Sequence, residues 1–107
     1  ALSNALHFTN GQIRSTYLLG MIAFQKGEAG RAHSLIKKAL ASSQAIGNAL
    51  LEAEGWFYLG EVHDRSDKSL PEKIRCYQQS RQGYRQLGDR VNAAYLLKCV
   101  ADMHGLQ

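Results

Sequence analysis

Apolar and small residues recur along this chain in a pattern that repeats about every forty positions. The central copy is the segment 56–63, and related copies lie at 16–23 and 97–104. In each copy, apolar residues spaced three or four positions apart share one helical face. One small residue stands at the same place in each copy: Gly20, Gly60 and Ala101. A small side chain here predicts close contact with a second helix, and the period indicates an array of paired helices.

The periodicity and its interruptions predict five helices joined by short turns. They cover residues 10–26, 28–46, 49–65, 69–87 and 89–104. Gly27 and Gly47 favour helix ends, because glycine takes the left-handed conformation at little cost. Asn48 and Asp89 are good N-capping residues, and Ser69 with Glu72 forms a capping box around Pro71. Asp64 to Lys68 is predicted to be a polar loop. Each helix should therefore pack against the one that follows it.

Four of the five predicted helices, all but the one at 49–65, are given a stripe of residues that should be buried. The stripes are Ile13, Thr16, Leu19, Gly20 and Ala23; Ala32, Leu35, Ile36, Ala39, Leu40 and Ser43; Ile74, Tyr77, Tyr84 and Leu87; and Ala93, Ala94, Leu97, Val100, Ala101 and His104. Their spacing follows the helical period of 3.6 residues.

The whole chain, 1–107, is interpreted as a single domain with about two and a half repeats. Residues 1–9 are expected to be the end of a truncated preceding helix. Repeat 1 covers 10–46, repeat 2 covers 48–87, and 89–107 supplies the first helix of repeat 3. Because that last helix has no partner, we expect the chain to be a segment of a longer array.

Composition supports an all-α fold and narrows the function classes. The chain has one proline and few β-branched residues, which disfavours strands. Cys76 and Cys99 lie inside predicted helices without short-spaced partners, so reduced thiols and a cytoplasmic location are expected. The net charge of +4 permits acidic partners without requiring them. No apolar run is long enough to span a membrane, and no membrane association or targeting segment is expected.

The repeats resemble the tetratricopeptide repeat (TPR) family. In its signature, a large apolar residue precedes Leu-Gly by three positions, and Ala, an aromatic residue and Ala follow in the second helix. The matching residues are Thr16, Leu19, Gly20, Ala23, Ala32, Ile36 and Ala39 in repeat 1, and Trp56, Leu59, Gly60 and His63 in repeat 2. In repeat 2, the residues Lys73, Tyr77 and Ser80 stand where Ala, an aromatic residue and Ala are usual, so Lys73 and Ser80 depart from the signature. The forty-residue spacing is similar to a longer subclass found in spindle-orientation and receptor-clustering adaptors and in bacterial signalling regulators.

The resemblance implies a short right-handed α-solenoid with antiparallel helix hairpins and a concave groove that binds a peptide or partner helix. It places groove positions six and three residues before the central small residue and one and four after it. The implied partner-binding residues are Arg14, Tyr17, Met21, Phe24, Glu54, Phe57, Glu61, Asp64, Tyr95, Lys98 and Asp102. Aromatic residues with mixed charges are common at protein recognition sites. In the alternative interpretation, Tyr17, Phe57 and Tyr95 pack between neighbouring helices.

Other functions were weighed against this protein-binding interpretation. The main alternative is a sensing or self-association segment of a larger signalling or transcriptional regulator, because terminal helices would expose apolar surface. The basic residues Arg65, Lys68, Lys73, Arg75, Arg81, Arg85 and Arg90 could bind nucleic acid, but a solvated helix face explains them better. His63 and His104 lack further metal ligands, and His33 and Cys76 lack catalytic partners. No enzyme activity, cofactor or metal is therefore expected.

Overall fold

The protein is described by a computed structural model, which covers residues 9–63 and 70–105. These residues form five helices: α1 (Asn10–Gln25), α2 (Ala29–Ala45), α3 (Ala49–Glu61), α4 (Leu70–Gln86) and α5 (Arg90–Gly105). No strand occurs in the described segments, so the all-α class is confirmed. The predicted helix end at 1–9, the loop from Asp64 to Lys68 and the cap at Ser69 lie outside the described residues.

Local signals in the sequence set the helix boundaries. Gly27, Gly47 and Gly88 end three helices with φ angles of +84°, +70° and +77°, which other residues adopt at a cost. The Asn48 side chain accepts a hydrogen bond from the Leu51 N–H at 3.0 Å, which confirms this predicted N-cap. The helices therefore start and stop close to their predicted positions. The exception is α3, which ends at Glu61 rather than at residue 65.

Two further N-caps lie at the starts of α1 and α5. The Asp89 carboxylate accepts a hydrogen bond from the Asn92 N–H at 3.0 Å, as predicted. At the start of α1, the Thr9 hydroxyl accepts a bond from the Gln12 N–H, and the Gln12 amide oxygen accepts one from the Thr9 N–H. This capping box was not predicted, and it satisfies two backbone donors that a helix start leaves without partners.

Each helix packs against the next one along the chain, and α1 also contacts α3. One buried cluster lies around α1, α2 and α3, and Cys76 of α4 joins it. A second cluster lies around α4 and α5, and Ala53 of α3 joins that one. The described residues extend over 51 × 34 × 17 Å, so the core is elongated along the row of helices. This sequential packing is consistent with a helical repeat.

Gly20 and Gly60 lie at close helix contacts, as predicted. A Cβ on Gly20 would lie 2.6 Å from Ile36 Cγ1, and one on Gly60 would lie 2.7 Å from Tyr77 Cε1. Ala101, the third member of the set, is exposed and was wrongly predicted to be buried. In the described residues the backbone of α5 packs closely against that of α4 alone, and the side of α5 that carries Ala101 has no helix against it.

Most residues of the predicted stripes are buried, and the exceptions lie on helix faces that no other described helix covers. Leu19, Leu87, Ala94 and Leu97 were predicted to be buried but are exposed. Thr16 and Leu35 are half-buried, and the side chain of His104 lies outside the described residues. Periodicity also missed several buried residues: Tyr17, Ser80 and Leu96. Sequence periodicity defines a helical face, but the neighbouring helices decide how wide its buried part is.

Candidate functional site

Two predicted surface residues from different repeats meet in an ion pair. Arg14 of α1 donates through Nη2 and Nε to Oε1 of Glu54 on α3, at 3.3 and 3.4 Å. They occupy equivalent places, each six residues before the close-contact glycine, Gly20 or Gly60. The Arg14 side chain is 53% exposed, so the pair adds less than about 1 kcal/mol to stability. Its main consequence is to place opposite charges from neighbouring repeats on one surface.

An aromatic row, formed by Tyr17, Tyr58, Phe57 and Tyr95, crosses from α1 over α3 to α5. Successive ring centroids are 5.3, 5.6 and 6.4 Å apart. Phe57 is half-buried, and its ring also stacks on Tyr77 of α4 at 5.8 Å. Tyr95 is 54% exposed. The structure thus brings Phe57 and Tyr95 together, with exposed aromatic surface at the α5 end of the row.

A small cavity of about 240 Å³ adjoins the aromatic row. It is lined by Glu54, Phe57, Tyr58, Tyr84, Asn92, Tyr95 and Leu96. The volume lies below the range of about 300–1,000 Å³ for small-molecule sites, so the cavity suits a single side chain of a larger ligand. Tyr58 and Asn92 were not among the predicted site residues, and Tyr84 was predicted to be a packing residue. The position of Tyr58 next to Phe57 was the one local signal.

The hydroxyls beside this cavity stay protonated at neutral pH. Burial raises the pKa of Tyr84 to about 12, and the nearby Glu54 carboxylate adds to the effect. Burial and then Glu54 also raise the pKa of Tyr58. A neutral phenol can donate a hydrogen bond, whereas a carboxylate can only accept one. The cavity therefore combines donors and an acceptor on a largely aromatic wall.

Tyr17 is a correction to the predicted groove set. Its side chain is fully buried, and its hydroxyl donates a hydrogen bond to the Leu51 carbonyl oxygen at 2.8 Å. Gly55 makes this possible, because a Cβ there would overlap the Tyr17 hydroxyl and would lie 2.8 Å from Leu40 Cδ1. Tyr17 therefore supports the aromatic row from below and offers no surface to a partner.

The other predicted groove residues differ in their surroundings. Met21 and Phe24 are half-buried against the core. Glu61 accepts a hydrogen bond from the Tyr77 hydroxyl at 2.5 Å, so it is engaged within the fold. Lys98 and Asp102 are exposed on α5. Asp64 lies outside the described residues.

Part of the predicted basic strip is occupied by contacts within the protein. Arg75 donates to Glu72 at 2.8 Å, and Lys73 Nζ lies 5.6 Å from the centre of the Tyr77 ring. Arg65 and Lys68 lie outside the described residues. These contacts reduce the positive surface that the strip could offer to nucleic acid.

Two histidines that are far apart in the sequence meet beside α2 and α3. The rings of His33 and His63 are 5.4 Å apart, edge to face. Partial burial lowers the pKa of both; Lys37 adds to the effect at His33, and His33 adds to it at His63. Among the described side chains, no group of three or more His, Cys, Asp or Glu could hold a metal ion. Cys76 and Cys99 carry free thiols, and burial raises the pKa of Cys76 to about 11.

Comparison with known proteins adds no relative on which a function could be based. No protein-family model matches the chain, and no curated protein or solved structure matches it significantly. Within the described segments, none of the helices has the length and apolar character needed to cross a membrane. The function must therefore be argued from the residues themselves.

Proposed function

We propose that this chain is a helical-repeat domain of the tetratricopeptide type, a short α-solenoid, that binds a peptide or helix of another protein. The observation that carries the proposal is the meeting of repeat-related residues on one surface. Arg14 pairs with Glu54, and the rings of Phe57 and Tyr95 lie 6.4 Å apart. This is the side-by-side arrangement that the first helices of stacked pairs would produce.

The chemistry of this surface suits a protein ligand better than a small molecule. Exposed aromatic rings give large contact area, and such residues dominate the affinity of many protein interfaces. The cavity beside Phe57 can accept one anchoring side chain. Lys98 and Asp102 are exposed charges on α5 that would orient the ligand around that anchor. Tyr17 is excluded from the contact set because it is buried.

The proposal can be tested with peptides selected from a random library against the 107-residue chain. Phe57→Ala should weaken a selected peptide about tenfold or more, because it removes the wall of the anchoring cavity. Lys98→Glu should change the affinity in a salt-dependent way. Lys37→Glu on α2 is the matched charge control and should leave the affinity unchanged. If Phe57→Ala and Lys98→Glu both bind the peptide with wild-type affinity, the binding site lies elsewhere.

A second candidate function is self-association within a larger regulator. Three apolar residues of α1 favour it, because they are unusually exposed: Leu18 at 56%, Leu19 at 54% and Ile22 at 47%. Contiguous exposed apolar side chains commonly mark interaction sites. Sedimentation velocity over a concentration series tests this candidate. A dimer that Leu19→Ser abolishes would support it, and a monomer at all concentrations would contradict it.

A further inference from the structure

The cavity of about 240 Å³ beside Phe57 lies where α3 and α5 are held apart. Cα atoms of α1 and α3 come within 8 Å of each other, whereas those of α3 and α5 do not in the described residues. Gly55 allows the close approach of α1, because it leaves room for the buried Tyr17 side chain. The residue 41 positions later on α5 is Leu96, a larger buried side chain. The space therefore opens between α3 and α5 alone.

This cavity faces the surface that the repeats leave uncovered. Neither α4 nor α5 packs against α1 in the described residues, and Arg14 on α1 is 53% exposed. By the same repeat, helices that follow α5 in a longer array would leave the equivalent surface of α3 uncovered. The cavity is therefore accessible to a ligand whether or not the array continues.

Four aromatic rings from three helices line the cavity: Phe57 and Tyr58 of α3, Tyr84 of α4 and Tyr95 of α5. The plane of Phe57 is inclined by 61° to that of Tyr58 and by 60° to that of Tyr95, so these rings cannot form one flat wall. The face of an aromatic ring attracts a cation that lies within about 6 Å of its centre. A cation in the cavity would therefore interact with several rings at once.

The charges around the cavity also favour a cation. In the described part of the chain, the carboxylates of Glu54, Glu61 and Asp89 and the guanidinium of Arg14 act on the cavity's tyrosines. These charges add up to a negative environment. Both hydrogen bonds from Arg14 end on Oε1 of Glu54, so neither uses Oε2 of that carboxylate. Lys98 also lies on α5, but it does not line the cavity.

The oxygen atoms of the lining distinguish between cations. The lining offers the Glu54 carboxylate, the Asn92 amide and the hydroxyls of Tyr58 and Tyr84. The Asn92 nitrogen donates to Asp89 at 2.7 Å, so the amide oxygen is the group that Asn92 can offer to a donor. A guanidinium stacks on aromatic rings and carries five N–H donors in its plane, whereas the ammonium of lysine is compact and strongly hydrated. The lining therefore suits arginine better than lysine.

We propose that this cavity binds an arginine side chain of the peptide or helix, a specificity that rests on the proposed function. The guanidinium would contact the aromatic rings and donate hydrogen bonds to the Glu54 carboxylate. Arg14 would then compete with the ligand for that carboxylate. The site is thus selective for a basic anchor, although the net charge of +4 alone would favour acidic partners.

The test starts from short peptides selected from a random library against the 107-residue chain. Only peptides whose affinity falls in both Phe57→Ala and Tyr95→Ala are kept; Tyr95 is 54% exposed, so its replacement leaves the core intact. These peptides should share an arginine at one position. Its replacement by citrulline, which keeps the shape but not the charge, should weaken binding about tenfold or more in calorimetric titrations. Lysine at that position should also bind more weakly than arginine.

Two variants of the Arg14–Glu54 pair should change the affinity in opposite directions. Glu54→Gln removes the acceptor and should weaken the arginine peptide about tenfold. Arg14→Gln removes the competing cation and should strengthen it about twofold or more. Both variants break the same exposed ion pair, so a merely structural effect would move the affinity in one direction. The citrulline peptide should respond much less to either variant.

Four results would overturn the arginine specificity and leave the proposed function standing. They are selected peptides that share an apolar or acidic residue instead, undiminished affinity of the citrulline peptide, a lysine peptide that binds as tightly as the arginine peptide, and equal losses in Glu54→Gln and Arg14→Gln. If no selected peptide depends on Phe57 and Tyr95, the proposed function itself fails at this surface, and the specificity fails with it. The two failures can therefore be told apart.

Discussion

Replacement of Gly60 by alanine tests the helix contact that holds α4 on α3. A Cβ at residue 60 would lie 2.7 and 2.8 Å from two ring carbons of Tyr77 and 3.3 Å from Cys76 Cβ. Non-bonded carbons prefer about 3.5–4.0 Å, so the tyrosine ring has to move. Its hydroxyl is bonded to Glu61 at 2.5 Å, and its face is stacked on Phe57 at 5.8 Å. Any movement therefore disturbs contacts that the wild-type protein makes.

The expected magnitude follows from two opposing effects. An extra carbon in a packed interface costs about 1–3 kcal/mol. Alanine recovers about 0.5–1 kcal/mol, because glycine loses more backbone entropy in a helix. The net loss in the free energy of unfolding should be about 1–2 kcal/mol. Gly30→Ala is the matched control, since nothing lies within 4 Å of a Cβ at residue 30 in α2. It should be neutral or stabilise the protein by up to about 1 kcal/mol.

Urea unfolding followed by far-ultraviolet circular dichroism measures both variants against the wild type. For a domain of this size, a loss of 1 kcal/mol should also lower Tm by about 4–8 °C. Equal slopes of the denaturant curves are required, because a changed slope would mean a changed unfolded state or an intermediate. A Gly60→Ala protein as stable as Gly30→Ala would refute close packing of α4 at this position.

Two further perturbations test buried polar groups. Tyr17→Phe should lower the free energy of unfolding, measured in urea, by about 0.5–1.5 kcal/mol, because it removes the hydrogen bond to the Leu51 carbonyl. Tyr95→Phe, at an exposed site, should lower it less. Equal losses in the two variants would contradict the burial of Tyr17. Because the pKa values of His33 and His63 are lowered by folding, stability should be full above about pH 6.5 and fall as the pH drops below it. The charged groups facing this pair are Lys37, Glu72, Lys73 and Arg75. The double variant His33→Gln/His63→Gln should lose this pH dependence when its thermal unfolding is followed across the same range. A wild-type stability that rises as the pH falls from about 6.5 to about 5.5 would contradict the prediction.

The helices and turns could be predicted because their signals are local. Gly47 followed by Asn48 marks an end and a start within two residues, and both act as predicted. The burial of Tyr17 agrees with the alternative interpretation, and the sequence could not decide between the two, since helical periodicity does not tell which of two neighbouring faces a second helix will cover. Gly55 was the available clue. A glycine inside a helix costs about 0.5–1 kcal/mol relative to alanine, so it often marks a close contact, here with the Tyr17 hydroxyl.

The same lack of long-range information explains the corrections at α1 and α5, the first and last described helices. Leu19 and Leu59 occupy equivalent repeat positions, yet Leu19 is 54% exposed and Leu59 is only 6% exposed. The exposure differs because the two helices have different numbers of neighbours. Helix α3 packs against α1, α2 and α4, whereas α1 packs only against α2 and α3 in the described residues. An internal repeat therefore predicts burial well for a central helix and less well for an outer one.

Stability and the candidate binding surface meet at a single side chain, Tyr77. Its ring fills the space left by Gly60, stacks on Phe57, and its hydroxyl binds Glu61. A substitution at Phe57 therefore removes a surface contact and a packing contact together. Loss of peptide affinity in Phe57→Ala supports the binding proposal only if the Tm of the variant lies well above the temperature of the binding assay. Lys98 is exposed and lies outside this packing unit, so Lys98→Glu tests the surface with little effect on the core. Concordant losses in both variants would locate the ligand, whereas a loss in Phe57→Ala alone, together with lowered stability of that variant, would trace to the α3–α4 contact.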